Sequence, residues 1–348
     1  MALTSRITLT GAPGEDPEDF FGSSLGVIFP DDVMNQHGEA DHGLMYQSPH
    51  LPKPLHISLA APDGDEDRRL FSHYLWNASL LLAELVEAGT LGLEQLEHDG
   101  TADATATTPD GSPQSPSPPV PSPTSLGPPL ADFDVTGLTT MELGAGTALP
   151  SILAALLGAR RVVVTDYPAP AVISNLRANV ARNAGPEMSP LLASTSSLPL
   201  PVAPAVVVGE TDGHAWGDFE TVLAKRDRHV FDRVFVCDCL WMPWQHESLL
   251  RSIEWFLKDD AGARCWVVAG FHTGRAKMRG FFEEERLGEV GLEVESIWER
   301  DCDGVEREWT WDRGYEDPVG RKRWLVCAVL KRRNKAGEMN GVNGTGKG

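Results

Sequence analysis

Residues 141–150, MELGAGTALP, decide how this chain folds. An acid, Glu142, and two glycines, Gly144 and Gly146, follow directly on an apolar strand pattern, and a helical pattern follows them. Glycines at such a handover let the backbone turn tightly and let a ligand approach without meeting a Cβ. The stretch therefore marks a strand-to-helix turn that needs backbone close to something.

Outward from the turn the pattern is regular. LTTMELG reads as a strand and LPSILAALLGA as a helix; RVVVTDY is a second strand and APAVISNLRANVARN a second helix. AVVVGE (205–210), FDRVFVCD (231–238) and ARCWVVAGF (263–271) are three more strands, the last two followed by predicted helices near 244–258 and 274–288. LEVESIWER (292–300) and RKRWLVCAVLKRR (321–333) are two late strands with no room for a helix between them, so they pair antiparallel. Strands alternating with helices mean an α/β fold, a Rossmann-like doubly wound sheet. It is expected to be seven-stranded, mostly parallel, and closed by a C-terminal antiparallel hairpin.

Upstream, residues 70–88 place apolar side chains at helical spacing, and Gly89 is a natural stop. Residues 1–69 carry twelve acids against four basic residues and read as an acidic N-terminal arm with one or two short strands, PLHISLA (54–60) among them. A disordered Pro/Ser-rich insertion is expected at 99–131. Its nine prolines and lack of large apolar side chains leave too little to bury against the entropy of ordering. Residues 186–205 read as a second loop insertion and 334–348 as a frayed tail, so 70–333 is expected to be one domain.

Composition narrows the function. The net charge of −20 argues against a dedicated nucleic-acid binder and is compatible with a basic protein segment as partner. The five cysteines include no CxxC pair, so no metal site or disulfide framework is expected. Reduced, buried thiols fit a cytoplasmic location, with the nucleus also open. No apolar run is long enough for a membrane helix, and the first residues lack the core of a secretory signal.

The turn and the next strand together point to a nucleoside. Asp166, at the end of the second strand, lies twenty residues past Gly146, where a carboxylate can accept both ribose hydroxyls. The third glycine of a dinucleotide fingerprint is missing, and Glu142 would repel a pyrophosphate. A cationic nucleoside, S-adenosyl-L-methionine, suits the acid better than NAD. Plainer alternatives remain: Glu142 as a solvated strand end, Asp166 as a helix cap.

At this point the chain resembles the class I, seven-strand S-adenosylmethionine-dependent methyltransferases. More narrowly, it resembles the lysine-methyltransferase-like proteins of methyltransferase family 16. The resemblance rests on YLWNASLLLAELV (74–86), ELGAGTALPSILAALLGARRVVVTDYP (142–168), HAWGD (214–218) and FDRVFVCDCLW (231–241), in that order. It implies that Trp76 lines the cofactor site and that Gly144, Ala145 and Gly146 run beneath the methionine portion. It further implies that Asp166, beside Tyr167, holds the ribose, that Trp216 stacks near adenine, and that Cys237 sits against the cofactor. Asp238 would face the reaction centre. The family often has D-x-x-Y here. This chain has Trp241 in the aromatic place, so the ring is kept and the phenol lost. Without the resemblance, core packing is the alternative reading of Trp76 and Trp216.

The chemistry expected is in-line methyl transfer to nitrogen, in which the enzyme mainly orients and desolvates. Burial lowers an amine's pKa, and aromatic faces hold methylated ammonium. His272, after the fifth strand, is a candidate proton shuttle, with a structural hydrogen bond as its alternative. The resemblance implies a protein acceptor, a lysine or N-terminal amine of a translation factor, or else a small amine such as nicotinamide. It implies no nucleic-acid or membrane partner, and a monomer. An inactive cofactor-binding interaction protein is the alternative from another class.

Overall fold

A computed structural model of the chain describes residues 3–10, 35–38, 43–62, 64, 71–72, 74–93, 125–193, 205–208 and 213–333. Most of the predicted 99–131 insertion, part of the 186–205 loop and the whole 334–348 tail lie outside the described residues.

Four short strands come first: β1 (Ile7–Leu9), β2 (Gln36–His37), β3 (Leu44–Tyr46) and β4 (Leu55–Ile57). β5 (Leu75–Trp76) leads into helix α1 (Asn77–Leu91). The alternating part then runs β6 (Thr139–Leu143), α2 (Leu149–Leu156), β7 (Arg161–Thr165), α3 (Pro170–Asn183), β8 (Ala205–Val208), β9 (Arg233–Cys237), α4 (His246–Phe256) and β10 (Arg264–Gly270). β11 (Leu292–Asp301), β12 (Glu306–Glu308) and β13 (Trp324–Arg332) close the chain.

The main sheet has the order β12-β11-β13-β10-β9-β6-β7-β8. β8, β7, β6, β9 and β10 are parallel neighbours; β13 runs antiparallel between β10 and β11. This is the expected seven-strand pattern. The short edge strand β12 adds an eighth from a stretch that reads as turn in the sequence. Period-two alternation buries both faces: Phe235 and Cys237 of β9 join the core under α1 and α2, while Val234 and Val236 join the core under α4. The order of the strands reverses between β6 and β9, which run parallel, and this opens a crevice beyond the carboxyl ends of these strands.

Three details depart from the sequence reading. Helix α1 starts at Asn77, not at 70, because Leu75 and Trp76 pair with β2. It runs past Gly89 and ends at left-handed Gly92. Gly89 is small for another reason: a Cβ there would lie 2.3 Å from the Leu130 carbonyl oxygen. The helix expected at 274–288 is broken into Arg275–Met278 and Glu284–Glu289. Arg275 is tied to Glu299 and Glu316 ahead of the break, and Phe281 and Phe282, between the two pieces, are both buried.

The described part of residues 1–69 does more than extend from the domain. β1, β3 and β4 form their own sheet, and Leu44, Tyr46, Leu55 and Ile57 are buried in the core that α1 and α2 share. Buried Arg6 meets Glu84 at 2.6 Å and Glu87 at 3.2 Å, both on α1. Asn179 and Asn183 of α3 hold the backbone of residues 56 and 58 through their side-chain amides.

Candidate active site

The turn after β6 is built by backbone that only small residues permit. Gly144 (φ +71°) and Gly146 (φ +55°) both adopt the left-handed region. A Cβ on Gly144 would lie 2.7 Å from Cys239 Sγ and 3.0 Å from the Trp216 ring, so three chain segments converge there. The Ala145 amide donates to the Thr165 carbonyl at 3.0 Å, which fixes the turn against β7.

Asp166 locks the same turn from the other strand. Its Oδ2 accepts from the Gly146 amide at 2.8 Å and its Oδ1 from the Tyr167 amide at 2.7 Å. Burial pushes its carboxyl up to about 6, against these two amides, which pull it down. Each oxygen keeps a lone pair for a further donor. Tyr167 and Trp216 continue the wall beside it.

Glu142 corrects the sequence reading. It does not line the crevice. Its carboxylate turns under α2, where Oε2 accepts from the Ser151 hydroxyl at 2.5 Å and the Ser151 amide at 3.3 Å. Full burial pushes it up to about 8. It is neither a solvated strand end nor a ligand-facing charge: it closes the open N-terminus of α2, whose own N-cap, Ala148, has no side-chain acceptor to offer.

The other end of the crevice belongs to β9 and its neighbours. Cys237 ends the strand, and Asp238 follows with φ +55°, a left-handed conformation unusual for a residue with a side chain. Its amide donates to Val268 and its Oδ1 accepts from Gly270 at 3.3 Å, so the neighbouring strand holds it in that conformation. Burial raises its pKa, while the nearby His272 ring and the Gly270 amide oppose that. Aromatic rings line the same crevice. Trp241 packs edge-on against Phe71 at 5.3 Å and against Trp244 at 6.3 Å; Tyr74 meets Trp76 edge-on at 6.1 Å.

His272 also differs from expectation, since it does not line the crevice. Its ring stacks behind Trp76 at 4.9 Å, with Nδ1 3.7 Å from Asp238 Oδ1. The histidine that does line the crevice is His214, together with Cys239 and Met242. Sequence reasoning missed all three. The only signal was position: each sits one or two residues from an expected site residue.

The crevice encloses about 860 Å³ with its mouth. Among the described residues that line it, none is Lys or Arg, while Asp166 and Asp238 are carboxylates. Such a lining offers no cation to a pyrophosphate and suits a nucleoside with a cationic tail. With glycine backbone for close approach and Asp166 for paired hydroxyls, the residues fit S-adenosylmethionine. Among the described residues no group of His, Cys, Asp and Glu is placed to hold a metal, and no helix is long and apolar enough to cross a membrane.

Comparison with known proteins agrees. No family model matches the chain. A protein N-terminal and lysine N-methyltransferase of Schizosaccharomyces pombe is 24% identical over 273 residues, 75% of this chain and 83% of the relative. The like-named protein of Gibberella zeae is 32% identical over 189 residues, 50% of this chain and 66% of the relative. That of Kluyveromyces lactis is 36% identical over 135 residues, 37% of this chain and 48% of the relative. The chain thus spans from about half to about four fifths of these relatives. Among solved structures, a ribosomal protein L11 methylase of Lactobacillus delbrueckii aligns at 15% identity and TM-score 0.34, covering 57% of this chain and 72% of that one. A 16S rRNA (adenine(1408)-N(1))-methyltransferase of Catenulisporales acidiphilia aligns at 17% and 0.37, covering 57% and 90%. Strand order and glycine turn give the chain the class I S-adenosylmethionine-dependent methyltransferase fold, and its sequence is similar to the fungal protein N-terminal and lysine N-methyltransferases.

Proposed function

We propose that the chain transfers methyl groups to an amine of a protein, a lysine side chain or an N-terminus. The observation that carries this is the aromatic enclosure at Asp238. A buried carboxylate lies at the end of a crevice walled by Trp76, Trp241, Tyr74 and Phe71. The names of the relatives support the same reading.

The roles divide along the crevice. Bound S-adenosylmethionine supplies a methyl group already activated on a sulfonium. Asp166 and Gly146 bind the ribose side, and the glycine backbone lets the ligand lie close. Asp238 accepts a hydrogen bond from the incoming amine and so orients its lone pair. The surrounding rings exclude water, which favours the uncharged, nucleophilic amine. The same rings attract a methylated ammonium through their faces. Trp76 is itself held in place: its Nε1 donates to the Phe71 carbonyl at 3.1 Å and His272 stacks on it. His272 is thus a positioning residue here, acting through Trp76 and Asp238.

The test is transfer of tritiated methyl groups into a lysate of cells lacking this chain, separated by size. Label in a protein band, at an amine located by mass spectrometry, is the expected result. Label confined to the small-molecule fraction, rising with added nicotinamide, would overturn the reading.

A further inference from the structure

Trp244 stands outside the crevice and has no part in the roles above. It is 71% exposed. Yet it lies between Met242 and Gln245, which both line the crevice, and its ring packs edge-on against the crevice ring of Trp241, centroids 6.3 Å apart. The loop that carries it is pinned. Pro243–Gln245 make one short helical turn, with the Gln245 amide donating to the Met242 carbonyl at 2.9 Å. Buried His246 follows; its Nε2 donates back to the Leu240 carbonyl at 2.9 Å, and its ring stands edge-on to Phe281. An indole held out to solvent on such a loop gains little from burial. A large, preorganised ring at the mouth of a site is the kind of group that anchors a partner.

The chemistry around this ring selects a cation. The backbone stays helical through Gln245 and His246, so Glu247, three residues on and exposed, shares a side with Trp244. Elsewhere the chain covers its own tryptophans with arginine: Arg228 stands 4.4 Å from the Trp255 ring centre, Arg307 3.6 Å from Trp324 and Arg275 5.1 Å from Trp309. Among the described residues, no Lys or Arg lies over Trp244 or pairs with Glu247. The crevice beside them likewise has carboxylates and, among its described lining, no Lys or Arg. An open indole beside an unpaired carboxylate, on a chain of net charge −20, fits a positive side chain.

We propose that Trp244 and Glu247 form an outer subsite that takes a lysine or arginine of the acceptor protein, two residues from the amine methylated in the crevice. This rests on the reading of the crevice as a protein-amine methyltransferase site. The offset follows from spacing. On an extended segment, side chains two residues apart point the same way and stand about 6.6 Å apart, which matches the separation of Trp241 and Trp244. A segment whose amine lies against Trp241 therefore presents its next same-side residue to Trp244.

The test measures tritiated-methyl transfer to the protein labelled in the lysate, over a dilution series of that lysate. Trp244→Ala should raise the apparent KM for the acceptor roughly threefold to fivefold, with kcat and S-adenosylhomocysteine affinity within about twofold of wild type. Trp244→Phe should keep most of the affinity. The double variant Trp244→Ala with Glu247→Lys should raise KM roughly tenfold. Mass spectrometry of the labelled protein should find Lys or Arg two residues from the methylated amine. Thermal unfolding of each variant checks that it is folded. A KM for the double variant within twofold of wild type would overturn the proposal. So would kcat and S-adenosylhomocysteine affinity falling in step with KM, which would make Trp244 a mere support for Trp241, or a methylated site with no cation at that offset. Absence of label from every protein with wild type would overturn the protein-acceptor reading itself, and this inference with it.

Discussion

The two ends of the crevice are made differently. At the Asp166 end, the hydrogen bonds that fix geometry come from two adjacent strands and the turns that follow them, with Cys239 and Trp216 packed on the Gly144 turn, and these bonds are backbone amides on carboxyl groups: Gly146 and Tyr167 on Asp166, Ser151 on Glu142. At the Asp238 end, the walls come from three separate places in the chain, around residues 71–76, 238 and 241–242, with His272 stacked behind Trp76, and the contacts are ring against ring. The first end is specified by local chain geometry, the second by tertiary packing. A common ligand can be held by the first, and acceptor choice can drift in the second without disturbing it.

The comparison breaks first at Gly144. A side chain there must take a left-handed conformation and collide with Cys239 and Trp216. Gly144→Val should weaken S-adenosylhomocysteine binding by roughly a hundredfold or more by calorimetry. Asp166→Asn comes next, with a loss of roughly tenfold to a hundredfold. It carries a pH signature as well. The wild-type carboxyl protonates as pH falls through about 6 and ceases to accept two hydroxyls, so affinity should weaken below that pH. In Asp166→Asn this dependence should vanish.

The acceptor end should respond in the opposite sense. Trp241→Ala should lower methyl transfer, or raise the KM for the acceptor, by roughly threefold to tenfold. S-adenosylhomocysteine affinity should stay within about twofold, and Trp241→Phe should keep most of the activity. A loss of cofactor affinity equal to the loss of transfer would erase the division between the two ends.

The smallest effect on the crevice belongs to Glu142, which acts on stability instead. Its folded pKa is raised from 4.5 to about 8, so the folded chain keeps a proton that the unfolded chain releases in that window. The stabilisation is fully present below the unfolded value and is lost as pH rises through about 8. The Tm of wild type should therefore fall, relative to Glu142→Gln, as pH rises from 4.5 to 8. Cofactor affinity should be the same in both.

The same division explains what the sequence made legible. Strand order and the glycine turn follow from period-two runs and from residues a few positions apart, so Gly144, Gly146 and Asp166 could be placed from spacing alone. Glu142 was visible as an acid, but its direction depends on where Ser151 arrives nine residues later. His272 and Trp76 are far apart in sequence, and nothing local says that their rings stack. The PLHISLA strand was legible, but the buried character of β3 and β4 was hidden because each is only three residues long, with His56 inside β4, and they stand among acids and prolines. The break in the helix expected at 274–288 was hidden too, because the partners of Arg275, Glu299 and Glu316, lie later in the chain.

The most direct test of the account is a crystal structure of the chain with S-adenosylhomocysteine bound. The account predicts the ribose hydroxyls on Asp166 and the sulfur directed toward Asp238 and the rings around it. A ligand bound without Asp166, or with its sulfur turned away from Asp238, would contradict it.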